Sequence, residues 1–203
     1  MQFYTIFLFA SDSSHLGRLD YTSLSTQALM EIFIEGIENR EVICRSAEEP
    51  ADFDKWKGFW YSEDQPADGA EKQFESSWVD LALVGTIDLQ WLPPTVLSLD
   101  IDDNQLSGSL NLTALPPSIQ VLDCRNNAFS KEIDLCHLPA EIELLDLSVN
   151  QLSGSLNLEK LPTSMEELLL NANRFTGTVC LRHLPPNLVD LSVSENELSG
   201  WAW

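Results

Sequence analysis

A repeat of 23 residues constrains this chain more than any other feature of its sequence. Residues 85–199 divide without gaps into five units of that length, and the second unit reads GSLNLTALPPSIQVLDCRNNAFS. A fixed period of about 20 to 29 residues predicts a solenoid, in which each unit buries its apolar side against its neighbours. We therefore expect the rest of the chain to serve that stack.

Each unit predicts short strands and no long helix. When positions are numbered 1 to 23 from the first residue of a unit, positions 15 and 17 are apolar and the residues beside them vary, which is typical of a strand with one buried face. Position 9 is proline in all five units, and proline opposes a helix in the return half of the unit. Positions 1 to 5 alternate between apolar and polar residues, which predicts a second short strand there.

Position 20 is asparagine in every unit. A polar residue placed so regularly among buried ones must find hydrogen bonds. We expect these side chains to bond the backbone of adjacent loops in a continuous ladder, and therefore to be structural. The predicted asparagine ladder comprises Asn104, Asn127, Asn150, Asn173 and Asn196.

Positions 12 to 22 give the pattern LxxLxLxxNxL five times, and over residues 85–199 the chain resembles the leucine-rich repeat family. The continuation LSG followed by x-Φ-D/N-L is similar to the plant-type subclass. The Leu-Pro pair at positions 8 and 9 is more similar to 23-residue repeats of kinetoplastid protists. The resemblance implies an α/β solenoid, a right-handed stack with a parallel β-sheet on the concave face, short strands or irregular and 3-10 segments on the convex face, and an N-terminal helical cap.

The sequence outside the five units predicts a cap and two incomplete turns. Apolar residues at helical spacing predict one helix over residues 21–43, and the aromatic residues that follow predict packing of the cap, with an aromatic platform for a carbohydrate or other ligand as the alternative. The expected segments are an N-terminal segment at 1–20, a helical and aromatic-rich cap at 21–72, a degenerate repeat at 73–84, the five repeats at 85–199 and the start of an incomplete sixth repeat at 200–203.

The cellular location stays open at this point. Phe3–Ala10 is a short apolar run that weakly resembles a secretory signal, but no basic residue precedes it. The paired cysteines of plant-type caps are missing, so a secreted, a surface and a cytoplasmic protein are all compatible with the sequence. No stretch reaches the roughly 18 apolar residues of a transmembrane helix.

The charge of the chain restricts its partners. The sequence has 32 acidic and 11 basic residues, for a formal net charge of −21. Both parts contribute, with 16 acidic and 6 basic residues in 1–84 and 16 acidic and 5 basic residues in 85–203. Such a field repels phosphate backbones and anionic lipid surfaces, so nucleic-acid binding is excluded. It favours a basic partner, or serves solubility alone.

The concave face is formed by positions 14, 16, 18 and 19 and, in leucine-rich repeat proteins, is the usual binding surface. Here it carries eight acidic residues and one basic residue. Three aspartates stack at position 16 and repel one another, so simple solvated charge, a basic or amine-bearing partner and a calcium ion are the alternatives. The predicted partner-binding residues are Asp100, Asp102, Asp123, Arg125, Asp146, Ser148, Glu167, Leu169, Asn171, Asp190, Ser192 and Ser194. The apolar residues Val121, Leu144, Val149 and Leu169 form a patch beside the column.

The sequence predicts a non-enzymatic module that recognises a protein or peptide, without cofactor or metal. No GxSxG, GxxxxGK[ST] or HExxH motif is present, and the four cysteines form no CxxC pair. The alternatives are a recognition fragment of a larger signalling receptor or effector enzyme, and a surface structural protein. The tryptophan-rich end, Gly200–Trp203, leaves the last repeat without a polar cap, which predicts either a truncated product or end-to-end association with another chain.

Overall fold

The structure is a computed structural model and describes residues 24–63 and 70–202. The predictions made for the segment 1–20, and for the start of the cap helix at residues 21–23, lie outside the described residues. The same holds for residues 64–69 of the cap and for Trp203.

From β2 onwards, successive strands of the described chain alternate between two β-sheets, so each turn contributes one strand to each sheet. The strands are β1 (Phe59–Tyr61), β2 (Phe74–Ser77), β3 (Val84–Thr86), β4 (Val96–Asp100), β5 (Gln105–Gly108), β6 (Val121–Asp123), β7 (Ala128–Lys131), β8 (Leu144–Asp146), β9 (Gln151–Ser155), β10 (Glu167–Leu169), β11 (Arg174–Cys180), β12 (Asp190–Ser192) and β13 (Glu197–Ala202). The first sheet has the order β1-β2-β4-β6-β8-β10-β12, and the second has the order β3-β5-β7-β9-β11-β13. Every pairing is parallel except that of β1 with β2. The predicted parallel-sheet solenoid is confirmed.

The apolar positions of the repeat build the core between the two sheets. Adjacent strands of the first sheet are in register, so Leu99 lies beside Leu122, which in turn lies beside Leu145. These leucines are fully buried, as are the residues at position 17 from Ile101 to Leu170. Burial of one such side chain stabilises the fold by about 1.5 to 3 kcal/mol.

The second sheet lies earlier in each unit than the alternation at positions 1 to 5 predicted. Strand β5 covers positions 21 to 23 and position 1, and the other strands of this sheet also begin at or just after position 21. The reason is the apolar residue at position 22, for example Leu106 or Phe129, which is fully buried and brings its strand into the core. Positions 5 to 7 instead form 3-10 turns at Leu89–Trp91 and Leu112–Ala114.

The prolines at position 9 return the chain to the first sheet. In each unit the carbonyl of this proline accepts a hydrogen bond from the N–H of position 12, as in the bond from Val96 to Pro93 at 3.2 Å. This contact closes a four-residue β-turn, whose second residue is again proline in three units. The Leu-Pro pair is thus a turn signal placed directly before a strand.

The position-20 asparagines join consecutive turns through identical bonds. The side-chain oxygen of Asn150 accepts from the N–H of Phe129 in the preceding unit at 3.0 Å, and its amide nitrogen donates to the carbonyl of Cys124 at 3.0 Å. The same nitrogen donates within its own loop to Leu147 and Ser148. Corresponding bonds are made by Asn104, Asn127, Asn173 and Asn196.

The cap contains two short helices, so the prediction of one helix over 21–43 is wrong. Helix α1 (Thr26–Phe33) begins at Ser25, whose hydroxyl accepts from the N–H of Ala28 at 3.2 Å, and α2 is Glu41–Cys44. The buried residues Leu29, Met30 and Phe33 of α1 cover the first edge of the core.

The helix ends because the following residues bond the second sheet. The N–H of Thr86 donates to the carbonyl of Gly36 at 2.9 Å, and the N–H of Glu38 donates to Val84 at 2.8 Å. A Cβ at position 36 would lie 2.5 Å from the carbonyl oxygen of Thr86, so this close approach requires glycine. The cap therefore satisfies the backbone of the edge strand β3.

Aromatic residues of the cap close the edge of the first sheet. Phe59 on β1 stacks edge-on against Phe53 with ring centres 4.5 Å apart, and Trp56 is buried. Ser76 on β2 pairs with Phe59 and occupies the place of a position-15 leucine. Trp60, in contrast, is 45% exposed.

We predict that Asn150→Ala lowers the free energy of unfolding by about 2 to 4 kcal/mol, because the N–H of Phe129 and the carbonyl of Cys124 lose their buried partner. Urea denaturation followed by circular dichroism measures the change. Asn171→Ala is the matched control, since Asn171 lies at position 18 of the next loop, outside the ladder, and its change is expected to stay within about 0.5 kcal/mol. Equal losses in both variants would contradict the role of the ladder.

Candidate functional site

The strands of the first sheet bring three aspartates into one row on the concave face. The pairing places Asp100 beside Asp123 and Asp123 beside Asp146. Neighbouring strands are about 4.8 Å apart, so the three carboxylates follow one another at that spacing. In the same row Ser77 precedes them, and Leu169 and Ser192 follow them. We call these three residues the aspartate column.

Each aspartate of the column uses one oxygen to end its strand. Oδ1 of Asp123 accepts from the N–H of Arg125 at 2.9 Å, and Oδ1 of Asp146 accepts from the N–H of Ser148 at 2.8 Å. Asp100 makes the equivalent bond to Asp102 at 3.2 Å. Such bonds to the N–H two residues on are Asx-turns, which aspartate and asparagine form readily. The column is therefore built into the fold by local hydrogen bonding.

One basic residue already lies on this face. Nε of Arg125 is 3.3 Å from Oδ1 of Asp102, and its Nη2 bonds Oδ2 of the same carboxylate. The Asp102 side chain is only 8% exposed, whereas that of Arg125 is 44% exposed. The hydrogen bond to Asp102 raises the pKa of Arg125 above its ordinary value. The face thus holds a guanidinium in a forked geometry between two consecutive units.

The central aspartate of the column resists ionisation. The pKa of Asp123 is raised to about 6, chiefly by burial and also by the charges of Asp146, Asp100 and Asp102, while the hydrogen bond from the N–H of Arg125 opposes the increase. Desolvation and like charges both disfavour the carboxylate form. A cation placed here would relieve the repulsion and favour ionisation of Asp123.

The predicted partner-binding residues differ in exposure. Asp102, Asp146 and Ser148 are buried, at 6%, 5% and 3% exposure, so the alternative of simple solvated charge does not fit Asp146 of the column. Arg125 covers Asp102, and Asp146 is enclosed in its row between Asp123 and Leu169. The half-buried residues are Asp100, Asp123, Glu167, Leu169, Asn171 and Ser192, and the exposed ones are Arg125, Asp190 and Ser194.

The acidic residues divide into two groups along the sheet. Asp100, Asp102 and Asp123 offer oxygens that all lie within 4.8 Å of one another. Glu167 and Asp190 belong to the neighbouring row, at position 14 of the last two units. The first group has the oxygen chemistry that calcium prefers, but Asp102 is already engaged by Arg125. The arrangement suits an additional guanidinium or ammonium group at least as well.

Apolar side chains adjoin the column. Val121 and Leu144 pair across neighbouring strands at position 14, and Leu169 follows Asp146 in the row of the column. Val149 is 43% exposed at position 19 and has a φ of 53°. Position 19 is left-handed in every unit, and a β-branched residue is strongly disfavoured in that conformation. The patch gives the acidic face an apolar contact area.

The concave face continues onto the cap, which the sequence did not predict. Strand β1 is antiparallel to β2 and pairs Trp60 with Glu75, which occupies position 14 of the degenerate turn. Paired residues project to the same side of a sheet, so the exposed Trp60 lies on the concave face. The run Phe59-Trp60-Tyr61 was the available signal, because alternate residues of a strand project to opposite faces.

A separate cleft lies between the cap and the second sheet. It has a volume of about 310 Å³ and is lined by Ile32, Glu35, Asp88 and Trp91 among others. None of the predicted partner-binding residues contributes to it.

The parallel sheets and the repeated loop geometry define a leucine-rich repeat solenoid. Neither a family model nor a curated protein matches the sequence. Among solved structures, the leucine-rich repeat ectodomain of the receptor kinase SOBIR1 from Arabidopsis thaliana is similar, with a TM-score of 0.66 and 24% identity over 87% of this chain and 96% of that one. Pollen Receptor Kinase 3 gives a TM-score of 0.62 and 25% identity over 85% and 83% of the two chains.

A third similar structure contains PEPR1 with AtPEP1. Its TM-score is 0.52 and its identity 19%, over 85% of this chain and 32% of that one. These likenesses establish the leucine-rich repeat fold. None of the helices in the described part of the chain is both long and apolar enough to span a bilayer.

We predict that Asp123→Asn stabilises the protein in a pH-dependent manner. Asparagine keeps an acceptor for the N–H of Arg125 and removes the charge. Because the folded-state pKa of Asp123 is about 6 against an ordinary 3.8, the folded chain binds this proton more tightly than the unfolded chain. The protonated aspartate therefore stabilises the fold below about pH 4, and this contribution is lost as the pH rises through about 6.

The variant is expected to melt at a higher temperature than the wild type at pH 7 to 8, and the difference is expected to vanish near pH 4. Differential scanning fluorimetry across this range measures it. Asp190→Asn removes a charge from an exposed position of the same face and is expected to change the melting temperature little. A difference for Asp123→Asn that is independent of pH would contradict the burial of this carboxylate.

Proposed function

We propose that the chain is a non-enzymatic recognition module. Its acidic concave face binds basic side chains of a partner protein or peptide. The aspartate column carries the proposal. Three carboxylates are stacked in register, and burial together with mutual repulsion raises the pKa of Asp123 to about 6. A bound ammonium or guanidinium group would offset that repulsion.

The electrostatics favour a cation that brings its own hydrogen-bond donors. Two like charges at about 4.8 Å repel by about 3 kcal/mol at an effective dielectric constant near 20. One oxygen each of Asp123 and Asp146 is used in an Asx-turn, and among the described residues no hydrogen bond is made to the second oxygen. Arginine or lysine could donate to these oxygens, as Arg125 does to Asp102.

The apolar patch supports a polypeptide partner over a free ion. Lysine and arginine side chains have long aliphatic stems, which pack on apolar surface while the charged group reaches a carboxylate. Val121, Leu144 and Leu169 lie close enough to the column to take such stems. The similar structure of PEPR1 contains AtPEP1, so a leucine-rich repeat chain of this kind accompanies a second molecule there.

The proposal also covers the kind of repeat. We assign the units to the plant-like subclass, in the 23-residue form with a Leu-Pro pair that is similar to kinetoplastid repeats. Two features support this assignment: the LSG sequence forms the strands of the second sheet, as in Gln105–Gly108, and the Leu-Pro pair begins the turn into the first sheet.

We predict that the combined change Asp100→Asn, Asp123→Asn and Asp146→Asn weakens binding of arginine- or lysine-containing synthetic peptides by about 10-fold or more, because charge-assisted hydrogen bonds contribute about 1.5 to 3 kcal/mol each. Asparagine keeps the Asx-turns, so the fold is preserved. Fluorescence anisotropy with labelled peptides at two salt concentrations gives the affinities.

The matched control removes the same charge elsewhere. Glu132→Gln, Glu141→Gln and Glu159→Gln change three exposed acids outside the concave face, and affinity is expected to fall only slightly. Equal affinity of wild type and column variant would reject the proposed site. Equal loss in both variants would show attraction by net charge alone.

A further inference from the structure

Trp60 is an exposed aromatic residue that the cap does not use for packing. Phe53, Phe59, Tyr61 and Phe74 contact one another through their rings, while Trp60 makes none of the ring contacts found among the described residues. Its exposure of 45% on the concave side of β1 leaves an indole face open to solvent. Large exposed aromatic residues are enriched at sites of protein contact.

The surroundings of Trp60 are acidic. Glu75 on β2 pairs directly with Trp60. On the next strand, β4, Asp100 lies two residues beyond the partner of Glu75 and beside Ser77. An indole face next to a carboxylate is the chemistry that binds a guanidinium or ammonium group, through cation–π attraction and an ion pair together. The adjacent ring already shows this preference, since Nζ of Lys72 lies 4.8 Å from the centre of the Tyr61 ring.

The distance between Trp60 and the aspartate column sets a spacing. Asp100 lies two strands and two residues away and Asp123 three strands and two residues away, which gives about 12 Å and about 16 Å at ordinary sheet spacings. In an extended peptide, side chains four residues apart lie on the same side and about 13 Å apart. A segment crossing the strands therefore reaches both places with residues i and i+4.

We propose that the concave face binds an extended segment of a partner protein that carries two basic residues four positions apart. One stacks on Trp60 beside Glu75, and the other enters the aspartate column. This inference rests on the proposed function and adds the occupant, its register and Trp60 as a positioning contact. Charge complementarity selects a basic segment, since the face carries a single arginine and that arginine is bonded to Asp102.

The test uses the full chain and synthetic peptides with two lysines or arginines spaced i,i+4, with the same residues spaced i,i+1 as comparison. Trp60→Ala is expected to weaken the i,i+4 peptide about 3- to 10-fold, and Trp60→Tyr to keep most of the affinity, because cation–π contacts contribute about 0.5 to 2 kcal/mol. Trp201→Ala is the control, as Trp201 is similarly exposed on the second sheet.

A peptide in which glutamine replaces the basic residue that stacks on Trp60 separates cation binding from nonspecific contact with the indole ring. Its affinity is expected to be low and insensitive to Trp60→Ala, and an undiminished effect of the variant would overturn the cation role. If the column variant weakens binding and Trp60→Ala does not, this inference fails while the proposed function stands. If Trp60→Ala acts and the column variant does not, the proposed function fails. Equal binding of both spacings would overturn the register, and a change in oligomeric mass with Trp60→Ala would identify a second copy as the occupant.

Discussion

The position-20 asparagines supply the hydrogen bonds on which the rest of the structure depends. Each loop between the two sheets buries backbone N–H and C=O groups that strand pairing does not satisfy. Unpaired buried groups of this kind cost about 1 to 3 kcal/mol each. By accepting from position 22 and donating to position 17 of the preceding unit, one side chain fixes where both strands of a turn begin and end. The stacking of turns, the in-register aspartates and the left-handed residue at position 19 follow from that arrangement.

The same requirement explains how the cap joins the stack. The degenerate turn has Leu81 where the repeats have asparagine, and Asn39 of the cap bonds the exposed backbone of that turn, accepting from Val84 and donating to Ala82 at 3.0 Å each. Together with Gly36, it gives the edge of the second sheet polar partners, while helix α1 covers the apolar edge. An apolar cover alone would leave the loop backbone unsatisfied.

Periodic features of the sequence predicted the solenoid, the buried positions and the concave face, because a side chain that recurs every 23 residues meets the same environment each time. The structure departs from these predictions where strand register and close packing determine the conformation. The glycine at position 1, which has a positive φ in Gly108 and Gly154, interrupts the alternation that marks the second strand. Ile37 fits the helical spacing of the sequence, although it lies beyond α1 and forms a bridge with Gly85 of β3. The side on which Trp60 projects depends on the antiparallel pairing of β1 with β2. The burial of Asp146 depends on its neighbours in space. Neither can be read from the composition of the chain.

The charge of the aspartate column is the part of the repeat that the fold does not require. An Asx-turn needs one acceptor, which asparagine supplies equally well, and Leu169 shows that the row tolerates a residue without any. Three successive units nevertheless carry a carboxylate, at a cost visible in the raised pKa of Asp123. Solubility would be served as well by the exposed acids of the cap and the return loops. A half-buried column of like charges is explained better by a cationic group that neutralises it, and Arg125 on Asp102 shows that this face can hold one.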